Sequence, residues 1–388
     1  MADVPPPSRH HSGEHALARL ADELIDAGTV RVLLVTGRRS FTESGAESQV
    51  ARLAEHADVR RWSDVSPNTD SVELLTGLEI VEEFQPDYIL GVGGGSVMDM
   101  AKLLCAYPSN LAHDALLERI DAGSPLGERT VGLGLAPTTS GSGSEATHFA
   151  VVYIGDAKYS VAGPVLRADT VALDPTFTTS GSAHQRATSG MDAVCQAIES
   201  RWASGATRRS RRYADFAMEL LLPSIRPFVA GDDAHAAAMQ LGSHLAGRAI
   251  DISKTTAAHA LSYAITKRYG VDHGNAAALT LGHFIEDHVT VDGSRLQDSV
   301  SMQDHGESLQ RITALLGAPD GAGARAAFIE LLDDLGLPFN LSMVGDVDDA
   351  DLADMAASVN VQRLGNNPVV YDTDGLVDIL QRAVRAHH

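Results

Sequence analysis

DYILGVGGGSVMDMAK, residues 87–102, decides the fold. Residues 87–92 are an apolar run of the kind that forms a strand buried on both faces. Gly93, Gly94 and Gly95 follow, and residues 97–107 then repeat with a helical period. In that order, the glycines let the backbone approach a ligand closely, and the helix N-terminus offers free N–H groups to an anion. A pyrophosphate suits such a cradle. A tight glycine turn that binds nothing is the other reading of the same residues, and the pattern is not the GxGxxG fingerprint.

Working outward, residues 30–36 (VRVLLVT) read as another buried strand, with a mainly helical stretch to about residue 57. The polar segment 62–70 precedes a helix over 72–84, and residues 130–136, 149–154 and 168–173 read as further strands. This alternation predicts βαβ units with parallel pairing. From Ser182 onward the chain is rich in Ala and Leu at helical spacing. The expected domains are therefore an α/β half over 1–180 and an all-helical half over 181–388, with a cleft between them as the default ligand site.

Composition narrows the function. Acidic residues outnumber basic ones 51 to 30, for a net charge of −21, which disfavours nucleic acid and anionic lipid as partners. An anionic ligand must then be held by a local basic site, and only four lysines are available, Lys102, Lys158, Lys254 and Lys267. No apolar run approaches the roughly 20 residues of a membrane span. The opening MADVPPPSRHHS has no apolar segment, so a cytoplasmic protein is expected. Cys105 and Cys195 sit in apolar helical patterns and read as core thiols.

A second cluster, APTTSGSGSE at 136–145, gathers hydroxyls and glycines after a strand. Such composition also suits a flexible surface loop. Together with GGGSVMDMAK, the Asp192 region and the His259/His273 region, it resembles the group III, iron-dependent alcohol dehydrogenases in motif order. The likeness runs from about Val30 to about Pro368. Within that family, KYSVAGP at 158–164 and SKTTAAHALSYAITKRYGVDHG at 253–274 look like the subgroup that reduces phosphonoacetaldehyde to 2-hydroxyethylphosphonate.

The resemblance implies a parallel, Rossmann-like sheet followed by an all-α domain, the architecture also used by 3-dehydroquinate synthases. It implies a dinucleotide along Gly94, Gly95, Ser96, Asp99, Thr138, Thr139, Ser142, Phe149 and Lys158. Where relatives carry an acidic residue that bonds the adenosine ribose, this chain has Gly37 followed by Arg38 and Arg39. Loss of the ribose-binding carboxylate removes repulsion towards a 2′-phosphate, and two guanidiniums can bind it bidentately, hence NADPH over NADH. Solvated surface charges are the alternative for both arginines.

Asp192 and Gln196 are four apart in a helical pattern and share a face. By resemblance, Asp192, Gln196, His259 and His273 occupy the four metal-ligand positions. Relatives carry His where this chain has Gln196, and an amide oxygen is the weaker donor. Two histidines and a carboxylate suit Fe2+ with open positions, and three ligands plus water resemble a zinc site. A metal-free site, with Gln196 bonding Asp192 across one turn, is the competing reading.

The expected reaction is hydride transfer between a nicotinamide and a small aldehyde, with Tyr263 a candidate proton donor and Lys254 the first choice to hold a phosphonate. Arg186, Lys267 and Arg268 are lesser candidates for that anion. His184, His244, His283 and His288 are lesser candidates for the site. A homodimer is expected from the resemblance. A general short-chain alcohol dehydrogenase, a lyase of the dehydroquinate synthase type and a metal-free nucleotide binder are the alternatives.

Overall fold

Every residue of Tyr88–Gly93 is buried, so this strand has to lie inside a sheet covered on both faces. The computed structural model describes residues 9–359 and 364–385, and they divide into two compact units, Met1–Gly181 and Ser182–His388. The strands are β1 (Arg9–Ser12), β2 (Arg31–Thr36), β3 (Asp58–Trp62), β4 (Tyr88–Gly93), β5 (Gly132–Pro137), β6 (Phe149–Ile154), β7 (Ala157–Ala162) and β8 (Thr170–Leu173). Six of them form one sheet in the order β1-β8-β5-β4-β2-β3, with every pairing parallel. Along β2, Leu33 and Val35 enter one apolar cluster, while Val32 and Leu34 enter another on the opposite face. That two-sided burial is why the strand reads as an unbroken apolar run.

Helices α1 (Ala16–Asp26), α2 (Ser40–Glu43), α3 (Ala46–Val50), α4 (Leu53–His56), α5 (Ser71–Phe84), α6 (Gly95–Ala106) and α7 (His113–Asp121) complete this unit. The mainly helical stretch expected after β2 is made of the three short helices α2, α3 and α4. The polar DVRRW forms edge strand β3, which pairs with β2 alone and so needs no unbroken apolar run. Residues 149–154 do not join the parallel sheet. They pair antiparallel with β7 across Gly155 and Asp156, with Gly155 at φ 55° as a two-residue hairpin turn requires.

The second unit is built from α8 (Ala183–Trp202), α9 (Arg208–Val229), α10 (Ala236–Ser253), α11 (Ala257–Tyr269), α12 (His273–Thr290), α13 (Met302–Leu315), α14 (Gly321–Asp334), α15 (Asp349–Ala357) and α16 (Thr373–Val384). Its core includes Met191, Val194, Leu221, Phe284 and Phe328, with Cys195 buried among them as expected. No helix among the described residues is long and apolar enough to cross a membrane.

His283, His288 and His305 are among the histidines buried in this unit. Neither ring nitrogen of His283 has a hydrogen-bond partner. Burial, with Arg325 and Arg382 adding to it, pushes His283 down to about 4, and burial also lowers His288 and His305. Unfolded histidines titrate near 6.5, so between pH 6.5 and 4 the unfolded chain binds more protons than the native one. Stability contributed by the neutral rings is therefore full above about pH 6.5 and falls as the pH drops towards 4, by about 3 kcal/mol for His283 alone. The Tm difference between pH 7.5 and pH 5 should shrink in His283→Leu; an unchanged difference would count against this account.

Candidate functional site

The parallel neighbours β2, β4 and β5 end side by side. Their C-terminal edge therefore collects Gly37, the turn at Gly94 and Gly95, and Thr138 and Thr139. That edge is where open α/β sheets bind ligands. A Cβ on Gly95 would come 3.0 Å from the Ser142 side chain, so the two glycine-containing loops pack tightly there and a larger residue would have to push Ser142 aside. Thr138 Oγ1 and Ser140 Oγ beside them are buried and make no hydrogen bond. A cradle without Cβ atoms, at a helix N-terminus, fits a pyrophosphate.

Around this edge several polar side chains also bond within the protein. Asp99 Oδ1 accepts from Ser144 Oγ at 2.5 Å and Oδ2 from Val151 N at 2.9 Å, so both oxygens tie α6 to the second loop. Ser96 Oγ accepts from Asn68 N at 3.1 Å. Lys102 is fully buried. Its Nζ donates to Ser144 Oγ at 2.8 Å, Thr147 Oγ1 at 2.9 Å and Phe149 O at 2.9 Å, and also bonds Ser144 O. The ammonium thus clamps the loop that follows β5.

Phe149 begins β6, and Lys158 Nζ lies 5.9 Å from the centroid of the Tyr153 ring. Arg38 pairs with Asp64 and Arg39 with Glu43, each at 2.9 Å in exposed positions. Arg61, not singled out by sequence, anchors their loop by bonding Thr36 Oγ1, Gly37 O and Arg38 O.

In the helical unit, α8 presents Asp192, Gln196 and Glu199 at spacings of four and three, on one face. Asp192, His259 and His273 each offer a ligand atom, all within 4.8 Å of one another. Gln196 hydrogen-bonds Asp192. Burial raises the Asp192 pKa, but the His259 hydrogen bond and the neighbouring imidazoles outweigh it and hold the carboxyl below its ordinary range.

Glu199 is the residue that sequence reasoning missed. It is fully buried and its Oε1 accepts from Thr256 N, Thr256 Oγ1, Ala258 N and His259 N, at 2.7 to 3.3 Å. One carboxylate therefore caps the start of α11. Its Oε2 accepts from His259 Nδ1, which fixes the tautomer with the Nε2 lone pair outward. That lone pair faces Asp192 Oδ1 at 3.2 Å. Two electron-rich atoms so placed call for a cation between them. Burial disfavours a charged His259, but Glu199 and Asp192 outweigh this and lift its pKa to about 9. A site that draws in a proton so strongly fits a divalent metal.

Ser262 Oγ contacts His273 Nδ1 at 3.2 Å and donates to His259 O at 2.8 Å. Tyr263 stacks on His273 with ring centroids 5.4 Å apart and planes 8° from parallel, so it lies against the ligand cluster. A Cβ on Gly274 would sit 2.1 Å from the Thr188 carbonyl oxygen and 2.8 Å from Asp192 N. Glycine alone lets α12 deliver His273 against α8. Gly274→Ala should lower stability by about 3 kcal/mol, the upper end for overpacking, and weaken metal retention; a normal Tm with full metal content would contradict this.

Lys254 is exposed and ends α10 at φ 65°, ψ 178°, a region that non-glycine residues occupy at a cost of about 1–3 kcal/mol. Arg186 bonds Phe228 O and Asp233, Arg268 pairs with Asp351, and Lys267 is exposed in the last turn of α11. His184 pairs with Asp272 at 2.7 Å, His244 is buried in α10, and the His288 ring lies tilted against Trp202 with centroids 4.4 Å apart.

Comparison with known proteins agrees with both halves. The family profile "Iron-containing alcohol dehydrogenase" matches residues 7–175, and "Fe-containing alcohol dehydrogenase family, C-terminal" matches residues 186–384. A phosphonoacetaldehyde reductase from Streptomyces viridochromogenes is 32% identical over 324 residues, 80% of this chain and 79% of the relative. Lactaldehyde reductase of Escherichia coli is 25% identical, covering 96% of each chain. Among solved structures, sulfoacetaldehyde reductase from Bifidobacterium kashiwanohense in complex with NAD+ has a TM-score of 0.88 at 24% identity, covering 100% of both chains. This chain belongs to the iron-containing alcohol dehydrogenase family. It is an oxidoreductase that interconverts aldehydes and alcohols.

Proposed function

We propose that the chain reduces phosphonoacetaldehyde, a small anionic aldehyde, to 2-hydroxyethylphosphonate, with NADPH as hydride donor and Fe2+ at Asp192, His259 and His273. The carrying observation is the Glu199–His259–Asp192 line, which holds His259 Nε2 and a carboxylate oxygen 3.2 Å apart. When bound, the metal supplies Lewis acidity towards the aldehyde oxygen, and the nicotinamide supplies the hydride.

The chain's own residues do the positioning. Glu199 locks His259, Ser262 steadies His273, and Tyr263 lies against the ligand ring, where its hydroxyl is the proton-donor candidate. The α6 N-terminus and the 138–142 loop hold the pyrophosphate. Arg38 and Arg39 reach a 2′-phosphate by giving up exposed carboxylate partners, an exchange that costs about 0–1 kcal/mol for each pair. Lys254 holds the phosphonate. Likeness to the Streptomyces enzyme supports this substrate choice.

Aldehyde-dependent NADPH oxidation tests the reading directly. Phosphonoacetaldehyde should exceed propanal in kcat/KM by one to two powers of ten, since each charge-assisted hydrogen bond contributes about 1.5–3 kcal/mol. A chelator should abolish turnover, and Gln196→His should make it more resistant. Equal efficiencies for the two aldehydes would return the protein to a general short-chain reductase. A tenfold preference for NADH would remove the roles given to Arg38 and Arg39.

A further inference from the structure

The turn carrying Lys254 is held from outside its own helices. Asn366 Nδ2 donates to Ser253 O at 2.7 Å and to Thr255 O at 2.9 Å, the two carbonyls that flank Lys254. Asn366 Oδ1 accepts from Gly205 N at 3.0 Å, and Asn366 O accepts from Ser204 N at 2.9 Å. One amide therefore joins the end of α8, the α10–α11 turn and the 364–367 segment. Ser253 Oγ adds bonds to Lys254 O at 3.0 Å and to Ser200 Oγ at 2.7 Å.

These bonds bracket a residue whose backbone, at φ 65° and ψ 178°, suits glycine. A position that glycine would fill more easily holds a lysine. Among four lysines in a chain of net charge −21, this one stands two residues before Thr256, which Glu199 bonds together with His259. The turn is thus tied to the metal-ligand helix at one end and to Asn366 at its middle.

We infer that Asn366 is a positioning residue for substrate selection: it imposes the strained turn that aims the Lys254 ammonium at the anionic end of the aldehyde. The inference rests on the anionic-substrate reading above. Asn366 touches neither substrate nor metal in this scheme; it acts through Lys254.

The readout is the ratio of kcat/KM for phosphonoacetaldehyde to that for propanal, in the metal-loaded full-length enzyme, with circular dichroism as the folding check. Lys254→Met and Asn366→Ala should each lower the ratio by about tenfold, through KM of the anionic aldehyde rather than kcat. The double variant should fall no further than Lys254→Met. Gly205→Ala is the second probe. Its Cβ would come 3.1 Å from Asn366 Oδ1 and 3.2 Å from Ser253 O, disturbing the clasp while keeping Asn366 and Lys254, and it should lower the same ratio. A ratio that Lys254→Met lowers but Asn366→Ala and Gly205→Ala leave intact overturns the inference alone. A wild-type ratio near one removes the anionic-substrate reading, and the inference with it.

Discussion

His259→Ala is expected to lower kcat/KM for aldehyde reduction by about 10³-fold, corresponding to the several kcal/mol of charge stabilisation a Lewis acid supplies at about 1.4 kcal/mol per decade. Metal content should fall with it, because Asp192 and His273 alone are a poor chelate. The fold should survive. Glu199 Oε1 still caps α11 through Thr256 N, Ala258 N and the backbone N–H of residue 259, so the helix keeps its start. Glu199→Gln separates ligation from orientation. The amide can no longer fix the same tautomer, and metal affinity should fall by about 10- to 100-fold with the ligand set complete. Elemental analysis and chelator competition measure both. Wild-type metal content in His259→Ala would falsify the assignment of the site.

Lys102→Met should destabilise the first unit by about 3–5 kcal/mol, the scale for removing one partner of a buried charged network. The carbonyls of Ser144 and Phe149 and the hydroxyls of Ser144 and Thr147 lose the charged donor that the fully buried Lys102 supplies, and methionine offers none in return. A Tm fall of roughly 10 °C follows for a unit of this size. Cofactor affinity should weaken as well, since the clamped loop faces the Gly94–Gly95 turn; an unchanged Tm with weaker binding would instead give Lys102 a direct role at the ligand.

How much of this was readable in advance differs residue by residue. Asp192 and Gln196 share a face by helical spacing alone, and Glu199 lies one further turn along the same face, so a carboxylate in AVCQAIES was a visible signal. Its function was not visible, because its partners at 256–259 lie about 60 residues away. Lys102 stood three residues after Asp99 in the quoted stretch; Asp99 was expected along the dinucleotide, and Lys102 was one of the four lysines counted as available to an anion. Only the fold shows that each is spent on the 144–151 segment. Strand β3 escaped notice because an edge strand needs no continuous apolar run, and the β6–β7 pair because short alternating strands look alike whether they join a large sheet or fold on each other.

The sequence by itself determined the α/β-then-α organisation, the glycine turn before α6 and the residues able to bind a metal. These are properties of local periodicity and of side-chain chemistry, which a linear chain displays openly. Tertiary structure decided which polar groups are consumed inside the protein and which remain for a ligand. It set the Glu199–His259–Asp192 line, the close packing of Gly274 on α8 and the hold of Asn366 on the Lys254 turn. Each depends on a distance between residues far apart in the chain, and no periodicity encodes such a distance: it exists only once the helices have packed.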